Sequence, residues 1–166
     1  MSDWKRTTRE CTLDSLRPDL SAAIRAHVEK YNLGDILSAP VMCIETTSEK
    51  IKKGLFGGGE TIYTGAVLTK GWLVWANCGT NVKPHAISAR LNQITVQDYA
   101  TSSFAKLIPD TGVNVNGLKT DALEAGTTFI GLEENAAGRK FREGDGLRGR
   151  RRSSHASRAN GRDHRR

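Results

Sequence analysis

Two runs rich in β-branched and aromatic residues, Thr61–Thr69 and Trp72–Cys78, are separated only by Lys70-Gly71. Two residues leave room for nothing but a tight hairpin, so the runs are expected side by side as antiparallel strands. In the second run Trp72, Val74 and Ala76 fall on one face and Leu73, Trp75 and Asn77 on the other. Both faces carry apolar bulk, which predicts a strand covered on both sides. Trp72 and Trp75 then point opposite ways, and at least one of them belongs to a core.

Upstream of the hairpin the periodicity is helical. Leu16, Leu20, Ile24 and Val28 recur every four residues, with Ala23, His27 and Tyr31 widening the stripe, and predict an amphipathic helix over Arg17–Tyr31. Pro18 suits its first turn, Asp19 complements the positive end of the helix dipole, and Asn32 with Gly34 supply a stop. After Gly34 the period changes from four to two. Strands are expected at Ala39–Thr47, at Ala86–Tyr99 with a bend at Leu91-Asn92-Gln93, and at Thr127–Leu132. A second hairpin is expected from Phe104–Ile108 and Val113–Leu118 about the turn Pro109–Gly112. Glu133-Glu134-Asn135-Ala136-Ala137 opens a helix whose inward pair is Ala137 and Phe141.

The net charge of +7 invites an anionic partner, but its position changes that reading. Residues Arg148–Arg166 hold eight arginines and one acid, Asp163, and so carry the whole excess, leaving the body electrically balanced. After Leu147 there is no Val, Ile, Leu or aromatic residue, so this tail has nothing to bury and is expected to be disordered in isolation. It reads as a basic arm whose Arg150, Arg151 and Arg152 attract a nucleic acid or anionic membrane, as an unstructured solvated end, or as a read-through or shifted frame of GC-rich DNA. The chain thus divides into a helical extension (1–34), a β domain (35–147) and the tail (148–166). Apolar runs are too short for a membrane span, and the charged opening residues predict no secretory leader. Three widely spaced cysteines, Cys11, Cys43 and Cys78, suggest neither a disulfide framework nor a zinc cluster, and a cytoplasmic setting is expected.

An antiparallel run of six or seven strands closed by a C-terminal helix resembles a pleckstrin-homology-like barrel, particularly the small bacterial and GRAM-like members. The resemblance spans Leu37 to about Leu147 and rests chiefly on Tyr63–Ala76, where Leu68-Thr69 precedes the tight turn, and on Ile94–Tyr99 as the next strand. It implies a mainly β (α+β) closed barrel with a capping helix through Phe141, here preceded by an additional N-terminal amphipathic helix. Two departures stand out: the capping stripe fades at Gly144-Asp145-Gly146, and the N-terminal helix is extra. The implied role is a non-catalytic binding or assembly module, with a protein partner or a homo-oligomer as the first expectation.

The alternative is an anion site. The resemblance places phosphate-binding lysines in the loop after the first barrel strand, here Lys50, Lys52 and Lys53 beside Gly57 and Gly58, where backbone amides and ammonium groups can approach a phosphate. The following strand, Glu60–Thr64, lacks the family's basic-x-Arg pattern. Neither a nucleotide-binding glycine motif nor a His-x-x-x-His, Cys-x-x-Cys or His-x-Glu spacing is present, so no cofactor, metal or catalytic set is expected. His27 reads as a half-buried structural histidine, and His85 follows Pro84 at a strand start. Cys43 and Cys78 read as small core residues and Cys11 as the exposed thiol. Glu133-Glu134 are explained by the start of a helix.

Overall fold

The computed structural model describes residues 2–51, 59–134 and 136. Its strands are β1 (Trp4–Glu10), β2 (Met42–Lys50), β3 (Thr61–Leu68), β4 (Trp72–Gly79), β5 (Val82–Arg90), β6 (Ile94–Asp98), β7 (Gly112–Gly117) and β8 (Gly126–Gly131), with one helix, α1 (Pro18–Lys30), among these residues. The Lys70-Gly71 turn forms as its spacing demands. Thr69 N–H donates to the Trp72 carbonyl at 2.8 Å, and Trp72 N–H donates to the Thr69 hydroxyl at 3.0 Å.

Five strands form one antiparallel meander in the order β1-β2-β3-β4-β5, and the other three form a second sheet in the order β6-β7-β8. Helix α1 covers the outer face of the larger sheet over β3, β4 and β5, and the smaller sheet covers its inner face. β4 is thus covered on both sides: Val74, Ala76 and Cys78 pack toward Leu16, Leu20 and Ile24, whereas Leu73 and Trp75 pack toward Val113, Val115 and Ile130. Leu20 and Ile24 are fully buried, each contributing about 1.5–3 kcal/mol of transfer free energy. Their approach uses a missing side chain, because a Cβ on Gly65 would stand 3.3–3.4 Å from the methyls of Leu16 and Leu20.

The barrel expected from the strand order does not close. Where the end of the smaller sheet passes β1, side chains rather than a ladder make the junction. Thr8 N–H donates to Glu133 Oε2 at 3.1 Å, and Glu133 N–H donates to the Thr8 hydroxyl at 2.9 Å. The Arg6 guanidinium fills the space that a Gly131 Cβ would take, so a side chain stands between β8 and β1 and keeps their backbones from pairing. Among the described residues the strands form a two-sheet sandwich of eight, not a closed barrel of six or seven.

Three further expectations are corrected. The segment 1–34 is not simply a helical extension, since β1 precedes α1 and pairs with β2 along its whole length. Phe104–Ile108 is not a strand: Ser103–Lys106 form a 3₁₀ turn, and Phe104, Leu107 and Ile108 are 64, 80 and 65% exposed. β4 and β5 are joined by the two-residue turn Thr80-Asn81, and Pro84 lies inside β5, an edge strand that tolerates its missing N–H. The expected capping helix through Phe141 falls, beyond Ala136, outside the described residues, which hold one α-helix instead of two. No helix among them is long and apolar enough to cross a membrane.

Candidate binding cleft between the sheets

Strand register sorts the inner face of the larger sheet into rows. Met42, Leu68, Leu73 and Ala89 form one, and Ile44, Ala66, Trp75 and Ile87 the next. The third row is polar across all five strands: Thr8, Thr46, Thr64, Asn77 and His85. Arg6, Ser48, Ile62 and Gly79 follow. The smaller sheet fills the space over the apolar rows and leaves a cavity of about 340 Å³ over the polar end, with Trp4, Ile62, Thr64, Asn77 and Phe129 among its walls.

Buried hydroxyls and amides need partners, and the row supplies them in pairs. Thr8 and Thr46 share a hydrogen bond at 2.8 Å, and the Thr64 hydroxyl donates to Asn77 Oδ1 at 2.7 Å. That bond fixes the Asn77 amide with its oxygen toward β3. Neither the Asn77 amide nitrogen nor His85 Nε2 is engaged by another described residue, while His85 Nδ1 lies 3.1 Å from the Lys83 carbonyl.

The floor of the cleft is an ion pair. Both Arg6 terminal nitrogens bond the Asp110 carboxylate, and the side chains are only 6 and 15% exposed. Arg6 Nε also donates to Ser48 Oγ at 3.2 Å, and its cation lies near the rings of Trp4 and Phe129, 5.9 and 5.5 Å from their centres. Asp110 accepts further bonds from the Thr111 amide at 2.7 Å and the Ser2 hydroxyl at 3.2 Å. The charges therefore cancel locally. Beyond the pair lies a wider hollow of about 620 Å³ that shares Trp4, Arg6 and Asp110 with the cleft.

Among the residues expected to bind an anion, Lys50 ends β2 with its ammonium 3.3 Å from Glu60 and 5.7 Å from the Trp4 ring centre, so its charge is already partnered. Lys52, Lys53, Gly57 and Gly58, and Arg150, Arg151 and Arg152, lie outside the described residues. Glu133 is committed to Thr8. Trp72 lies under the Arg90 guanidinium at 4.8 Å on the outer side, and Trp75 is wholly buried with no partner for its indole nitrogen among the described residues.

His27 is buried beneath α1, where Nε2 shares a 2.9 Å bond with Ser88 Oγ and the ring packs on Tyr31 at 4.6 Å. Ser88 Oγ in turn bonds Thr120 at 2.6 Å, and burial holds the His27 pKa below its usual value. Among the described residues no group of three or more His, Cys, Asp or Glu is placed to hold a metal ion.

The sequence reading missed Trp4, Arg6, Asp110 and Phe129 as parts of one site, and no local motif joins them. No family model, curated protein or solved structure matches the chain.

Proposed function

We propose that the chain is a non-catalytic binding module that seats a small, uncharged polar molecule between its two sheets. The carrying observation is the polar row at the open end of an otherwise apolar inner face. The Asn77 amide nitrogen, engaged by no other described residue, lies there between aromatic and aliphatic walls, over a guanidinium whose charge Asp110 cancels. Such a cavity offers directional hydrogen bonds with little net field, which suits a neutral ring compound bearing hydroxyl or amide groups better than a phosphate. Its volume lies near the lower end of the roughly 300–1,000 Å³ of small-molecule pockets. The test is a titration of the ¹⁵N-labelled chain with monosaccharides, nucleosides and neutral aromatic amides. Shifts converging on the Asn77 side-chain amide and the Trp4 indole are expected, lost in Asn77→Leu. Binding that leaves those signals unmoved sinks the reading.

A second reading is self-association through Phe104, Leu107 and Ile108, an exposed apolar knuckle between β6 and β7. Lys106 is the one charged residue between Phe104 and Ile108, and Asp110 beyond Pro109 is paired with Arg6. Sedimentation equilibrium of the wild type and Leu107→Asp tests it, a concentration-dependent mass being expected for the first alone. Anion binding through Lys50–Lys53 rests on the loop composition, and Lys50's pairing with Glu60 weakens it.

A further inference from the structure

Cys11 and Cys43 are separated by 32 positions in the chain, yet their sulfur atoms are 3.4 Å apart. Cys11 directly follows β1, and its N–H donates to the Cys43 carbonyl at 3.0 Å, extending the β1-β2 ladder by one step beyond Glu10↔Ile44. Facing residues of such a hydrogen-bonded pair stand about 5.5 Å apart at Cα, within the roughly 4.4–6.8 Å that a disulfide spans. Cys11 is half-buried and Cys43 buried, so Cys11 is the more accessible residue of the two, and the Cys43 sulfur is held against it. Arg9 and Glu45, paired at 3.2 Å, are the charged groups nearest the two sulfurs.

We propose that Cys11 and Cys43 form a redox modification site that a hydroperoxide converts to an intramolecular disulfide. The Cys11 thiolate attacks one peroxide oxygen; the O–O bond breaks, hydroxide leaves, and sulfur is oxidised to a sulfenic acid. Cys43 sulfur then displaces hydroxide from Cys11 sulfur, forming the S–S bond, and the departing hydroxide takes the Cys43 proton as water. Two thiols and one hydrogen peroxide yield one disulfide and two waters. Burial pushes Cys11 above its ordinary range and Cys43 up to about 12, so the first step is slow at neutral pH. Contact between the sulfurs makes the second step intramolecular, and it intercepts the sulfenic acid before further oxidation. The site is independent of whatever occupies the cleft.

Cys78 provides an internal control. It lies on β4, two strands across and four residues along from the Cys43 row, and it is buried near Arg17. The reduced full chain, treated with excess hydrogen peroxide while folded and then denatured for thiol counting, should fall from three thiols to one. Its mass should drop by two hydrogens, a peptide should link Cys11 to Cys43, and dithiothreitol should restore all three thiols. Cys78→Ser should fall from two thiols to none. Cys43→Ser should instead carry Cys11 to sulfinic acid or to a disulfide between chains. Persistence of three thiols, sulfinic acid on Cys11 beside a free Cys43 in the wild type, or a link through Cys78 would each overturn the assignment.

Discussion

At one end of the space between the sheets, Leu73, Trp75, Ala89, Val113 and Ile130 pack against one another and exclude water. Further along the same strands Thr64, Asn77, Ser48 and Arg6 face a cavity of about 340 Å³. The backbone is the same continuous ladder in both places, so the difference comes from side chains alone. Filling the second end with apolar groups would stabilise the sandwich through burial. Instead, that end is polar and its charges are neutralised internally, and it is the end to which we assign a guest.

The largest expected effect tests the packed end. Trp75→Ala removes a wholly buried indole between the sheets and should cost about 3–5 kcal/mol in urea unfolding. A loss under about 1 kcal/mol would show that the two ends differ less than their burial implies. Next comes the floor of the cleft. Arg6→Met leaves the Asp110 carboxylate without its cation and should cost about 2–3 kcal/mol, below the value for a fully buried pair because Ser2 and Thr111 still bond Asp110. The double variant Arg6→Met/Asp110→Leu should recover most of that loss. A double variant no better than the single would mean that the pair sets the geometry of β1 against the smaller sheet.

This contrast also explains how much of the molecule was legible in the sequence. Helix α1 and the β3-β4 hairpin were readable because their packing partners are apolar and periodic: Leu16, Leu20, Ile24 and Val28 are all buried. Asn32 and Gly34 end the helix with φ of 47° and 78°. β1 was not readable, since its inward residues Trp4, Arg6 and Thr8 face the polar end and Lys5, Thr7 and Arg9 alternate with them, leaving no hydrophobic period. Phe104, Leu107 and Ile108 carry a helical spacing that their apolar bulk disguised as a strand. The site itself escaped because Arg6 and Asp110 are 104 residues apart, and the sulfurs of Cys11 and Cys43 meet only through the β1-β2 pairing. Closure into a barrel was a topological inference from strand order, and the structure leaves both seams unpaired: β1 does not pair with β8, where the Arg6 side chain stands between them, nor β5 with β6.

A smaller effect, with the opposite sign for the fold, tests the polar row directly. Thr64→Val/Asn77→Leu replaces both partners of one hydrogen bond by apolar groups of similar size, so no orphaned donor remains. Stability should stay within about 1 kcal/mol of the wild type or rise, because the lost bond is offset by burial. Affinity for any ligand held by the Asn77 amide should disappear in a calorimetric titration. A loss above about 2 kcal/mol would make the row a structural network and remove the cleft's claim to a ligand.

The smallest effect separates an open polar cluster from a closed one. On the outer side of β5, His27, Ser88 and Thr120 form a bonded chain, with Asp121, Lys30 and Tyr31 around the imidazole. Burial and Lys30 lower the His27 pKa while Asp121 opposes them, so the folded protein favours the neutral ring. Below the ordinary value of 6.5 the unfolded chain binds a proton that the folded chain refuses. The contribution of His27 is therefore complete above 6.5 and is lost as pH falls from there through its lower folded value. His27→Gln lacks this proton, so urea midpoints across that range should show the wild type's advantage over it shrinking steadily toward acid. A difference that is flat or grows with acidity would mean that the charged imidazole is accepted inside the fold, and that this cluster is as open to exchange as the cleft across the sheet.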